Sequence, residues 1–171
     1  MRKVVRATGL VGVTLLLALA WRAAVGTAQP ARPDPCRLLT AQDVTGALGA
    51  GYRKAQQEVA ALTTQACAYM KGPENYAEVL VFGPVEDGNA AVRQQREFFD
   101  KNRKVTPLPS LGSNGYYVIG PVGIGPGKKE LITVKFGKGR WWVHLRAVTG
   151  GKSNIDASLK LAAIVYARLP N

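Results

Sequence analysis

Histidine is almost missing from this chain: of 171 residues, His144 is the only one. A metal centre built on clustered imidazoles is thereby excluded, and no other metal or cofactor site is read. A Ser–His–Asp arrangement could draw only on His144, and no Gly-x-Ser-x-Gly elbow accompanies it. Cysteine is nearly as scarce, with Cys36 and Cys67 alone, so a zinc ribbon or a dense disulfide scaffold is ruled out. Acidic side chains number 11 against 23 Lys and Arg, which gives a formal net charge of +12. Glu86 and Asp87 are adjacent, but neighbours in a turn rarely converge on one substrate. Together these shortages argue against an enzyme and for a non-catalytic protein.

What is present begins with an export-type leader. Arg2, Lys3 and Arg6 form a positive start, and Ala7 to Trp21 is uncharged. That stretch is shorter than the roughly 20 apolar residues of a spanning helix. Gly26-Thr27-Ala28 supplies small residues suited to cleavage after Ala28. Residues 1–28 are therefore expected to be a signal peptide, with an uncleaved N-terminal anchor as the alternative. Residues 29–35 (Gln-Pro-Ala-Arg-Pro-Asp-Pro) read as a Pro-rich linker, and 36–171 as a single domain. The expected location is extracytoplasmic, in the periplasm or cell wall. In such an oxidising place a lone cysteine pair reads as a structural disulfide between Cys36 and Cys67.

Without the four leader cations the remainder holds 19 basic and 11 acidic side chains, a net charge of +8. Outside the cytoplasm the anionic partners of such a protein are lipid headgroups, wall polymers or acidic glycans; nucleic acid is not expected. The basic residues are dispersed, and Lys101-Asn102-Arg103-Lys104 is the densest cluster.

The Gly/Pro stretch Gly120 to Lys129 tempts a phosphate-loop reading, but Val122 stands where the first Gly is needed and Lys129 where Ser or Thr is. It reads instead as a loop between strands. Thr40-Ala41-Gln42-Asp43 is a capping-box start for a helix to about Leu48. Ala66–Met70 and Tyr76–Phe82 read as a hairpin around Gly72-Pro73-Glu74-Asn75. A helix is expected over Gly88–Lys104, then strands at Gly115–Ile119, Leu131–Phe136 and Arg140–Val148. The last two join through Gly137-Lys138-Gly139. Ser153-Asn154-Ile155-Asp156 caps a final helix with Ile155, Leu159, Ala162, Tyr166 and Leu169 on one face. The order α-β-β-α-β-β-β-α implies an α+β two-layer sandwich: a curved, mainly antiparallel sheet of about five strands, with helices on one face.

The segment Asp34-Pro35-Cys36-Arg37-Leu38-Leu39-Thr40-Ala41-Gln42-Asp43-Val44, followed by Ala47-Leu48-Gly49, resembles the opening of a family of small secreted proteins and lipoproteins of unknown function, common in actinobacteria. The layout over 34–169 is similar too, with a second cysteine about thirty residues on and Leu111-Gly112-Ser113-Asn114-Gly115 before a strand. The lipidation cysteine of many members is absent here. The resemblance implies an extracytoplasmic α+β domain with a sensing or binding role, and brings no catalytic residues.

The strand over Arg140–Val148 carries the candidate surface. Side chains alternate across a sheet, so Trp141, Val143, Leu145 and Ala147 form a core face, while Trp142, His144 and Arg146 share the other. Lys135 on the partner strand joins that second face. An aromatic platform, a titratable ring and a guanidinium together suit an anionic or aromatic ligand, and protonation of His144 would strengthen the binding of an anion. The expected function is a secreted, non-catalytic cell-envelope binding or interaction module whose partner is an anionic envelope component or another protein. Membrane contact is expected to be peripheral at most, or through an uncleaved leader. The alternatives are a hydrolase-like envelope enzyme and a protein-binding inhibitor or structural protein.

Overall fold

The computed structural model describes residues 31–55, 64–73, 75–122, 129–149 and 152–171. The leader at 1–28, the start of the linker, Glu74 and the loop at 123–128 lie outside the described residues.

The chain opens with two short helices. In α1 (Pro35–Leu38) the Asp34 side chain accepts the Cys36 amide, and Pro35 fills the first helical position. In α2 (Ala41–Leu48) the expected capping box is complete: Thr40 Oγ1 accepts from the Asp43 amide and the Asp43 carboxylate accepts from the Thr40 amide. Strands β1 (Arg53–Ala55), β2 (Thr64–Met70) and β3 (Tyr76–Phe82) follow, then α3 (Gly88–Phe98) and β4 (Val105–Pro107). After a 3₁₀ turn at Pro109–Leu111 come β5 (Tyr116–Val122), β6 (Lys129–Lys138), β7 (Trp141–Thr149), β8 (Lys152–Ser153) and α4 (Ile155–Arg168).

All described strands belong to one open antiparallel sheet in the order β1-β2-β3-β7-β6-β5-β4, with β8 paired to β7. The α+β class and the antiparallel pairing are as expected; the strand count of about five and the element order are not. The additional elements α1, β1, β4 and β8 are two to four residues long, too short to display a hydrophobic period. The β6–β7 hairpin turns at Gly139-Arg140, one residue past the centre of the expected turn, because Lys138 still pairs with Trp141.

The two-layer expectation fails on one point: helices cover both faces. On the first face α1, α2 and α4 enclose Val79, Val81, Phe136, Val143 and Leu145, all without solvent exposure. On the second, α3 lies over the β6–β7 hairpin. Two glycines permit this. A Cβ on Gly137 would stand 2.3 Å from Gly88 backbone atoms, and one on Gly88 would stand 2.0 Å from the Trp141 carbonyl oxygen. The α3 helix also stops at Phe98, well short of the expected Lys104. Phe99 caps it, and the chain turns to bury Asp100. In α4 the buried stripe is Ala157, Ser158, Leu161, Ala162 and Val165, followed by Leu169, whereas Ile155 is exposed. The helix is apolar on two stripes. The choice between them follows Ser158, whose Oγ accepts the Ala147 amide and donates to the Asn154 carbonyl.

The termini of the domain are clasped by an ion pair between α2 and α4. Arg168 donates to both oxygens of the Asp43 carboxylate. These bonds above all, with help from Thr40 and against partial desolvation, hold the Asp43 carboxyl down to about 2, from 3.8. A depressed carboxyl stabilises the fold above its unfolded value and loses that contribution as pH falls through the folded one. Asp43→Asn should therefore flatten the acid limb of stability between about pH 4 and pH 2. Because Arg168 is 41 % exposed, screening limits the loss at neutral pH to about 1 kcal/mol. Urea melts across this pH range measure it; an unchanged acid limb in the variant would exclude the clasp as its source.

Candidate functional site

The second face of β7 carries the residues that sequence alternation singles out. Trp141, Val143 and Leu145 are buried beneath α4, while Trp142, His144 and Arg146 are each partly exposed, as the alternation requires. What the sequence could not show is the strand beside them. Strand β3 pairs with β7 in the register Glu78↔Arg146, Leu80↔His144 and Phe82↔Trp142. The face is thus a row of matched side chains crossing two strands that are far apart in sequence.

Each predicted residue has a neighbour that changes its chemistry. The Trp142 ring stacks on Phe82 with centroids 4.0 Å apart and planes within 12°, and the residue packs against the Val92–Tyr116–Val118 cluster beneath α3. His144 sits against both rings, 4.9 Å from Phe82 and 5.0 Å from Trp142. Its Nε2 is buried and has no hydrogen-bond partner among the described residues. Burial first, then the charges of Lys135 and Arg146, push the imidazole down to about 3 from 6.5. His144 is therefore neutral at physiological pH, and the expected strengthening of anion binding by its protonation does not operate.

Arg146 donates through Nε to Glu78 Oε2 and pairs with the same oxygen through Nη2. Its guanidinium carbon also lies 5.5 Å from the Tyr76 ring centroid. Glu78 engages two of the five guanidinium N–H donors, and 30 % of the Arg146 side chain remains exposed. Lys135 differs from the expectation. It is 7 % exposed, and its ammonium donates to Asp100, which is 1 % exposed. It is a buried structural charge rather than a surface cation, because the turn after α3 places Asp100 directly over it.

Glu78, Phe82, Asp100 and Tyr116 complete this face and were missed by sequence reasoning. The alternation Tyr76-Glu78-Leu80-Phe82 was legible on β3, but its adjacency to β7 is a tertiary fact. Of the adjacent carboxylates, Asp87 accepts the Asn89 amide as the N-cap of α3, and it lines one shallow groove together with Glu86 and Glu97. No described helix is long and apolar enough to cross a membrane. A comparison with protein-family models, curated proteins and solved structures finds no match to this chain.

Proposed function

We propose that the protein is a secreted, non-catalytic binding module of the cell envelope, and that the Trp142–Arg146 row takes an anionic ligand carrying a flat or ring-shaped part. The observation that supports this reading is the Arg146 guanidinium, partly open to solvent, in one row with the half-buried Phe82–Trp142 stack. An Arg fork can pair with a carboxylate, sulfate or phosphate through donors that Glu78 leaves unused, while the aromatic edge supplies apolar contact. The binding reading is favoured over hydrolysis because His144 sits against the stacked Phe82 and Trp142 rings with its Nε2 buried. A general base must reach the proton it removes.

The test is a panel of wall polymers and acidic glycans, comparing wild type with Trp142→Ala/Arg146→Ala and with Arg146→Lys. The double variant should bind about tenfold more weakly or worse, the loss expected for one charge-assisted contact. Arg146→Lys keeps the pairing charge for Glu78 but loses the fork, and should fall between. Higher salt should weaken wild-type binding. Equal binding by the double variant would remove this face as the site, and a wild type that binds nothing on the panel would overturn the reading.

A further inference from the structure

The two most exposed large apolar side chains among the described residues are neighbours. Phe98 is 68 % and Phe99 is 67 % exposed; Met70 and Ile155 follow at 42 % and 37 %. Phe99, the C-cap of α3, lies seven residues after Val92 in the chain. Val92 is fully buried against Tyr116 and Val118. Where Val92 is enclosed, the two rings at the end of the helix are left largely open to solvent.

The chain then makes a sharp anchor. Asp100 accepts from Tyr116 Oη at 2.8 Å and from the Lys135 ammonium, and pairs with Arg103 at 3.6 Å. The Arg103 amide closes the turn on the Asp100 carbonyl. One buried carboxylate thus holds residue 100 inward and throws residues 98–99 and 101–104 outward on either side of it. The charges around this tip have one dominant sign. Residues 93–104 include five cationic and two acidic side chains. Asp100 is buried among its own partners, and Glu97 lies 4.0 Å from Arg93. Arg96, Lys101, Arg103 and Lys104 are all exposed and flank Phe98 and Phe99 in the chain.

We infer that this tip docks the protein on an anionic phospholipid bilayer, with Phe98 and Phe99 entering the headgroup–acyl boundary and the surrounding Lys and Arg resting on the headgroups. Cationic side chains and adjacent apolar rings together match such a surface. Soluble polyanions satisfy the cations but offer nothing to two exposed phenyl groups, whereas a bilayer interface supplies both an anionic surface and an apolar layer beneath it. The anchored turn keeps the rings presented, so little ordering is needed on contact. This site lies apart from the Trp142–Arg146 row, and the two readings stand or fall separately.

The experiment uses the full chain and vesicles of phosphatidylglycerol and phosphatidylcholine in equal parts, with pure phosphatidylcholine as the neutral control. Wild type, Phe98→Ser/Phe99→Ser, Lys101→Glu/Lys104→Glu and Trp142→Ala/Arg146→Ala are compared by sedimentation with vesicles. Any contribution of the N-terminal stretch is common to all four. Phe98→Ser/Phe99→Ser should weaken partition by about tenfold or more, because two rings no longer leave water. The charge-reversed variant should lose selectivity for the anionic vesicles and the salt dependence with it. A site-specific readout accompanies sedimentation: vesicles should protect Lys101 and Lys104 from amine acetylation while leaving Lys54, on β1 at the opposite sheet edge, reactive. Phe98, Phe99, Lys101 and Lys104 are exposed, so the melting temperatures of those two variants should match wild type. Unprotected Lys101 and Lys104, unchanged partition of the Phe98/Phe99 variant, or loss confined to Trp142→Ala/Arg146→Ala would each overturn the inference.

Discussion

Replacing Asp100 with Ala should destabilise the fold by about 3–5 kcal/mol, as for removal of one partner from a buried ion pair. Lys135, a residue only 7 % exposed, would be left with no carboxylate to meet its ammonium. Tyr116 would lose the acceptor for its hydroxyl. Burial, and next the hydrogen bond to Asp100, hold the Tyr116 phenol above its ordinary range, so it remains a neutral donor that needs an acceptor. The loss should come mainly from the stranded charge. Asp100→Ala combined with Lys135→Met should therefore recover much of the stability, since an apolar pair of similar volume replaces a buried salt bridge at little cost. Urea unfolding of the two single variants and the double variant closes the cycle. If the losses simply add, or if Asp100→Ala costs under about 1 kcal/mol, the cluster is solvated and does not anchor the turn.

That anchor explains why part of the fold was legible in the sequence and part was not. The capping box at Thr40 and Asp43 is local, and its three-residue spacing can be read without tertiary knowledge. The same holds for the alternation in β7, which separates Trp141, Val143 and Leu145 from Trp142, His144 and Arg146. The end of α3 is decided elsewhere. Residues 99–104 contain nothing that forbids a helix, and only Lys135 and Tyr116, sixteen or more residues away, draw Asp100 inward. The position of α3 on the second face depends on the Gly88–Gly137 approach, which sequence spacing does not reveal.

The candidate site was legible to the same extent. One strand face was identified, but its chemistry depends on β3 and on the turn after α3. Glu78 pairs with Arg146, Asp100 holds Lys135, and Phe82 encloses His144. A basic, titratable surface read from one strand becomes a row with a single partly open guanidinium. The strongly basic composition is then expressed more plainly at the α3 tip, where Phe98 and Phe99 stand exposed near the exposed cations Arg96, Lys101 and Lys104 in the chain. The cluster around Asp100 joins the two regions, since it removes a cation from the sheet face and fixes the shape of the tip.

Removing the Cys36–Cys67 bond should lower stability by about 3–4 kcal/mol at 25 °C on the chain-entropy account of a loop this long. The two cysteines are 31 positions apart and bonded, with Cα atoms 5.2 Å apart. The bond joins α1 to β2, the strand next to the edge strand β1. Few contacts substitute for it, because α1 is a four-residue helix that could not persist alone. Leu38 and Leu39 are buried, and the Leu39 carbonyl accepts from the Tyr69 hydroxyl at 2.8 Å. These contacts should keep the variant folded at room temperature while its opening segment frays. Cys36→Ser/Cys67→Ala is the suitable variant, since Cys67 is 1 % exposed and a hydroxyl there would be buried without a designed partner. Guanidinium melts with and without reductant should place the reduced wild type close to the variant. Intact mass under non-reducing conditions should fall two hydrogens below the reduced form. Two free thiols in the recovered protein would remove the bond and weaken the case, resting first on the leader, for an oxidising address.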